Sequence, residues 1–178
     1  MEKKIGFGLG TVAVGGTKVK AQADAAVFTF EPIYIDIESY ESGIWDKYVD
    51  RYDVKLKVVF EDQEYEQIQL AFPLLQEIEG MQAGTVSGLK DGGAHKRVRS
   101  LAKPVTVHPN ENPTTVKDDD LTLYKAYPIG VYEREYGKGG VAKYEVEFAC
   151  FPRFSDATKP GNYFRFGTDE LDMEEAED

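Results

Sequence analysis

Three short blocks in the second half of the chain decide the fold: AKPVTVHP at 102–109, LTLYKAYP at 121–128 and YEVEFACFP at 144–152. Each block alternates apolar and polar residues and ends at a proline or close to one. Alternation with a period of two is typical of strands that bury one face. The segment YGKGG at 136–140 separates the last two blocks, and its glycines suit the loop of a β-hairpin. The sequence therefore predicts a mainly β fold.

Two longer strand signals lie in the first half of the chain. The run AVFTFEPIYIDIE at 26–38 changes its alternation near Pro32, which predicts a bulge or bend on an edge strand. The run DVKLKVVF at 53–60 alternates regularly, so every second side chain should face the core. These inward residues are Val54, Leu56, Val58 and Phe60.

One helix is predicted after the second of these strands. In EDQEYEQIQLAFPLLQEIEG at 61–80 the apolar residues recur at helical spacing, which indicates one α-helix over about 62–78 flanking the sheets. Pro73 should kink this helix or end it at Phe72. The glycine-rich residues 81–95 are predicted to form a loop.

A long connection, SYESGIWDKYVDRY at 39–52, has no clean period and is predicted to be a loop. Its aromatic content leaves two interpretations open: a loop folded back on its own core, or an arm that contacts another protein. Trp and Tyr are the usual anchors of protein interfaces, which favours the arm. The candidate contact residues are Tyr40, Ile44, Trp45 and Tyr48.

Length and charge limit the possible functions. The 178 residues suit one domain, predicted over 1–168 with a glycine-rich N-terminal arm at 1–20. The formal net charge is −11, and the last ten residues, DELDMEEAED at 169–178, hold seven acids and no base, as in a solvated acidic tail. A basic cluster at 96–103 is too small to grip nucleic acid, because phosphate binding needs many clustered Lys and Arg.

No motif for catalysis, a cofactor or a metal ion stands out. Cys150 is the only cysteine, so no internal disulfide can form, and no zinc-type spacing of His and Cys occurs. No apolar run is long enough to cross a membrane, and the N-terminus is interpreted as mature sequence of a cytosolic protein. We therefore expect a protein that is not an enzyme and that acts through its shape and contacts.

The order of these blocks resembles the major tail proteins, or tail tube proteins, of bacteriophages with long non-contractile tails. In that family an A-K-P-L-x-I-H-P strand is followed by an acidic spacer, a Y-K-A-x-P strand, a hairpin and a Y-x-V-x-F strand that runs into a proline. The resemblance covers about 60–170, including the acidic spacer at 118–120. The residues that carry it are Lys103, Pro104, His108, Pro109, Tyr124, Lys125, Pro128, Tyr144, Val146 and Phe148.

The resemblance implies a β-sandwich or barrel-like subunit of two packed antiparallel sheets flanked by one helix. It implies hexameric rings of this chain, stacked into the tail tube of a virion that is assembled in the host cytoplasm. DNA would pass through the channel without specific binding. The partners it implies are the tape measure protein inside the tube and the tail terminator and distal tail proteins at its ends, with no cofactor and no membrane. The loop at 39–52 matches an extended loop that contacts the neighbouring ring.

Two other interpretations stay open. The chain could be a soluble β-sandwich binding module that uses the aromatic residues of 39–52 to hold a small molecule or carbohydrate. It could also be the tube protein of a contractile tail or of a secretion system.

Overall fold

The computed structural model describes residues 10–41, 43–61, 64–82, 84–133 and 143–168. These ranges contain ten strands, one α-helix and one 3₁₀ helix. In chain order they are β1 (Gly10–Val14), β2 (Thr17–Lys18), β3 (Val27–Ser39), β4 (Gly43–Phe60), α1 (Tyr65–Ala71), β5 (Leu75–Glu79), β6 (Val86–Asp91), the 3₁₀ helix (Val98–Leu101), β7 (Lys103–Pro109), β8 (Leu121–Gly130), β9 (Tyr144–Cys150) and β10 (Phe164–Phe166). All paired strands are antiparallel, which confirms the predicted mainly β fold with two antiparallel sheets and a single α-helix.

The large sheet curls on itself like a barrel. Its strands follow the order β2-β1-β7-β8-β9-β4-β3, and β10 pairs with β8 beside this path. The two end strands, β2 and β3, are consecutive in the chain and are joined by residues 19–26. The N–H of Val19 donates to the Val12 carbonyl at 2.8 Å, and that of Ala23 donates to the Val59 carbonyl at 2.9 Å. This connecting segment therefore joins the two edges of the sheet.

One face of the curled sheet carries the core. The inward residues of β4 are at most 1% exposed, as the alternation of 53–60 predicted. The helix α1 lies against this core through Ile68, Leu70 and Ala71. The other buried apolar residues come from four further strands, β1, β7, β8 and β9, and from the connection between β2 and β3: Val12, Val14, Val19, Val105, Leu121, Leu123, Ala126, Tyr127, Tyr144, Val146 and Phe148.

The predicted helix over about 62–78 is too long. The helix begins at Tyr65 and ends at Ala71, because Pro73 disfavours helical geometry at the residue before it. Phe72 accordingly has φ −132° and ψ 74°. Leu75 and Ile78 continue the helical spacing in the sequence, but they lie in strand β5.

The predicted loop at 81–95 is also wrong in part, because it contains strand β6. This strand pairs with β5 to form the second, two-stranded sheet. Leu75 of β5 and Leu89 of β6 pack against the core cluster, so the small sheet adjoins the core that α1 and the large sheet share.

The predicted loop at 39–52 is in fact the end of a long β-hairpin. Ser39 closes β3, and β4 begins at Gly43, whose positive φ of 69° suits a tight turn. Two bulges hide the alternation, since Trp45 and Asp50 are extra residues on β4 without a partner in the β3 register. Pro32 lies on the edge strand β3, as predicted, and the bulge falls one step later, between Ile33 and Tyr34.

Candidate assembly surface

The end of the β3–β4 hairpin extends beyond the sheet. Strand β4 pairs with β9 only over Lys55–Phe60, whereas its earlier residues pair with β3 alone. We call residues 32–41 and 43–52 the arm. The eight strand residues at 32–39, at roughly 3.4 Å each, extend about 27 Å, which gives the arm a length of about 30 Å with its turn. Every residue from Gly43 to Tyr52 is exposed, so both faces of the arm are open to solvent beyond its base, where Tyr52 contacts Phe30 and Tyr163.

Large apolar side chains lie on both faces of the arm. Alternation on β3 places Ile35 and Ile37 on one face and Tyr34 on the other. All of these side chains are at least 37% exposed, and Trp45 reaches 65%. Two-stranded ribbons in isolation are marginally stable in water, and exposed apolar patches of this kind mark interaction sites. The arm is therefore a candidate contact surface.

The structure brings the four predicted contact residues together on the arm. Tyr40 lies in the turn and is fully exposed, while Ile44, Trp45 and Tyr48 follow it on β4. Tyr34, Ile35 and Ile37 lie on the same surface and were not among the predicted contact residues. The signal was present in the alternation of 33–37, which continues past the core-facing residues of β3.

One ion pair crosses between the two strands of the arm. Asp36 and Lys47 lie directly opposite each other, with the Lys47 Nζ atom 2.5 Å from the Asp36 Oδ1 atom. Both side chains are exposed, so the pair contributes little stability in water. The register of the arm is therefore set by the backbone pairing of β3 with β4.

An aromatic cluster anchors the base of the arm. The ring centroids of Phe28 and Phe164 are 5.0 Å apart, and those of Phe30 and Phe164 are 5.2 Å apart. Tyr52 lies 5.0 Å from Phe30, so both arm strands reach the cluster. Edge-to-face and tilted ring pairs of this kind stabilise by about 1 kcal/mol each beyond the buried area. The cluster therefore ties the arm to β10.

The family-motif residues serve mainly the core and the strands that surround it. Tyr144, Val146 and Phe148 are at most 3% exposed, and Pro128 is buried as well. Lys103 and Pro104 are exposed at the start of β7. The half-buried motif residues are His108, Pro109, Tyr124 and Lys125.

Tyr124 and His108 make specific contacts beyond packing. The guanidinium of Arg153 lies 4.4 Å from the centre of the Tyr124 ring, a cation–π contact. The Nδ1 atom of His108 is 2.5 Å from Asp120 Oδ1, and Nε2 is 3.1 Å from the Asn112 carbonyl. The hydrogen bond to Asp120 raises the pKa of His108, and burial opposes this rise.

The described ranges contain no group of three or more His, Cys, Asp or Glu residues arranged to hold a metal ion. None of the helices in those ranges is long and apolar enough to cross a membrane. Burial raises the pKa of the Cys150 thiol to about 11, and this thiol lies 3.1 Å from the Tyr163 carbonyl. A thiol with so high a pKa is a poor nucleophile at neutral pH.

No protein-family model and no curated protein matches the sequence. Solved structures do match. A chain of the PVC sheath-tube complex of an extracellular contractile injection system, in its extended state, aligns with a TM-score of 0.50 and 14% identity over 83% of this chain and 88% of that chain. A chain of the PVC sheath/tube terminator, also in the extended state, aligns with a TM-score of 0.49 and 14% identity over 83% and 93%. The first of these matches shows a shared fold.

Proposed function

We propose that this chain is a structural subunit of a tail tube, which assembles with copies of itself into hexameric rings that stack around a channel. The arm is the observation that carries the proposal. It extends about 30 Å from the sheet and exposes aromatic and aliphatic side chains on both faces. A subunit of a tube needs such a surface, and a solitary soluble domain does not.

The shared fold and the sequence motifs support the proposal from two directions. The matching solved structure belongs to a sheath-tube complex of a contractile injection system. The motifs of β7, β8 and β9 resemble tail tube proteins of non-contractile tails. The fold match and the motifs both favour a tube protein. The fold match favours a contractile system, whereas the motifs favour a non-contractile tail.

A tube protein of a contractile system is the second candidate, and the fold match favours it. A contractile tail has a sheath around its tube, so the outer surface of the assembled tube would bind a second protein. Isolation of intact particles and identification of their components would distinguish the two. A sheath subunit that copurifies with this chain would assign it to a contractile system.

The rival interpretation as a small-molecule binding module receives no support from the shape of the arm. Ligand sites are concave and bury most of the ligand, whereas the arm is a ribbon that is exposed on both faces. The depression lined by Ile129, Val131 and Glu147 lies on β8 and β9, away from the aromatic residues of the arm.

The negative charge of the chain fits a channel for DNA. We expect part of the net charge of −11 to line the lumen, because like charge prevents DNA from adhering to the wall. A tube structure with a basic lumen would contradict this expectation.

Electron microscopy of the concentrated, purified protein tests the proposed function. Hollow tubes or six-fold rings in negative stain would support it. Sedimentation velocity over the same concentrations gives the oligomeric state in solution. Particles that remain monomeric and featureless over the whole range would contradict self-assembly of the chain.

A further inference from the structure

A basic segment is exposed beside the large sheet. Residues 92–103, which include the 3₁₀ helix, hold Lys96, Arg97, Arg99 and Lys103 and no acidic residue. All four basic residues are exposed. Within the described ranges none of them forms an ion pair, and Arg99 donates to the Pro152 carbonyl at 3.0 Å.

The arm carries the opposite charge. Its sequence at 32–52 holds five acids against Lys47 and Arg51, and each of these two bases already pairs with an arm acid. Glu38 and Glu41 near the tip form no ion pair within the described ranges. The tip therefore combines uncompensated negative charge with exposed aromatic rings.

We propose that the arm of one copy docks on the basic segment of a second copy. The carboxylates of Glu38 and Glu41 face the Lys and Arg side chains, which also lie against the arm aromatics as cation–π partners. Leu101, which is 36% exposed, supplies apolar contact in the same segment. The inference rests on the proposed self-assembly and identifies the basic segment as the surface that receives the arm.

The two surfaces differ, so the contact is heterologous. Each copy offers one arm and one basic segment, and such contacts propagate from copy to copy instead of stopping at a dimer. They form closed rings or open filaments, depending on the rotation between neighbours. A tube built from stacked rings needs contacts of this directional kind.

Photo-crosslinking from the arm tip tests the docking site. Benzoylphenylalanine replaces Tyr40 in an isotopically heavy copy, which is mixed at high concentration with light wild-type protein and irradiated. Mass spectrometry should place the crosslinks within 92–103 of the light copy. The same amino acid in place of Val27, which is 52% exposed but outside the arm, is the matched control and should not reach that segment.

Charge reversal tests the chemistry of the contact. Lys96→Glu with Arg97→Glu in the light copy should lower the crosslink yield about tenfold or more, because like charges then face each other. Glu38→Lys with Glu41→Lys in the heavy copy should restore the yield against this reversed partner. A crosslink yield that falls with the reversed partner and is not restored by the reversed arm would overturn the proposed pairing.

Crosslinks confined to other segments, including the acidic residues 169–178, or no crosslink between copies, would also overturn it. This failure is distinct from a failure of the proposed function. Tubes seen in the electron microscope together with crosslinks elsewhere would leave the tube subunit intact and refute only this receptor surface.

Discussion

His108 and Asp120 join the end of β7 to the start of β8, with 2.5 Å between Nδ1 and Oδ1. Both side chains are largely buried, at 19% and 14% exposure. The N–H of Gly167, just after β10, donates to the carbonyl of the same Asp120 at 2.8 Å. One ion pair thus lies where the β7–β8 loop and the end of β10 meet.

The stability of the fold should fall as pH rises through the pKa of His108. The hydrogen bond to Asp120 raises that pKa above its usual value of about 6.5, against the effects of burial and of Lys18. Because the folded state favours the protonated imidazole, this stabilisation is complete below about pH 6.5 and disappears as pH passes the raised pKa. Urea unfolding at a series of pH values between 5 and 9, roughly the range of histidine titration, measures the trend.

Two variants identify the group responsible for that trend. Asp120→Asn should lower the free energy of unfolding at acidic pH by about 1 kcal/mol and flatten its pH dependence. His95→Asn is the control, since His95 is exposed and has a positive φ of 63° that Asn also tolerates. A pH dependence that survives Asp120→Asn but not His95→Asn would contradict the assignment.

Removal of one aromatic ring from the arm should prevent assembly without unfolding the subunit. Trp45 is 65% exposed and makes no contribution to the core, so Trp45→Ala should leave the unfolding transition unchanged. Loss of a buried aromatic anchor lowers the binding free energy by about 2 kcal/mol or more at each interface. In a ring of subunits this loss would occur once for every subunit. Negative-stain microscopy should show no tubes, whereas the control Val27→Ala should assemble normally. Normal tubes from Trp45→Ala would refute the role of the arm.

The parts of the fold that could be predicted from sequence are those that bury one face. Val54, Leu56, Val58 and Phe60 alternate because one side of β4 faces the core. The same strand cannot be predicted from the sequence pattern over 43–52, because both faces are exposed there and two bulges shift the alternation. Hydrophobicity alternates with a period of two where a strand buries one face. A strand with both faces exposed therefore shows no such alternation.

The small sheet was missed for a different reason. Leu75 and Ile78 follow Ala71 at helical intervals, so hydrophobic spacing alone continues the helix into β5. Pro73 ends the helix locally, and pairing with β6 then decides the structure of the next residues. Strand β6 itself contains Gly88 and shows little burial, so it offers no clear pattern. The aromatic composition of 39–52 indicated a candidate contact surface although its structure was predicted as a loop, and the contact role of these residues stays a prediction.

Truncation of a core aromatic should be far more costly than truncation of an exposed one. Phe148 is 0% exposed and lies opposite Leu56 and Pro128 in the neighbouring strands. Phe148→Ala should lower the free energy of unfolding by about 3–5 kcal/mol, which is a large share of the stability of a typical domain. Phe166→Ala is the matched control, because Phe166 is 55% exposed and the loss of its edge-to-face contacts with Phe28 and Phe164 should cost only about 1–2 kcal/mol. Circular dichroism in urea is the suitable readout, and equal losses would contradict the described core.

The closure of the curled sheet should depend on one buried amide. Gln67 of α1 is 0% exposed, and its Oε1 atom accepts the N–H of Lys20 at 3.0 Å while its Nε2 atom donates to the Lys18 carbonyl at 3.4 Å. These bonds hold the segment that joins β2 to β3. Gln67→Leu keeps the size of the side chain but leaves two backbone groups without partners, at a cost of about 1–3 kcal/mol.

Hydrogen exchange locates this effect within the chain. The amide of Lys20 should exchange faster in Gln67→Leu than in the wild type, because its acceptor has been removed. Gln69→Leu is the matched control: Gln69 is half-buried and bonds the Leu75 carbonyl, so its loss should leave the Lys20 amide protected. If Lys20 were equally protected in both variants, the closure of the sheet would depend on the backbone hydrogen bonds from Val19 to Val12 and from Ala23 to Val59 instead of on the helix.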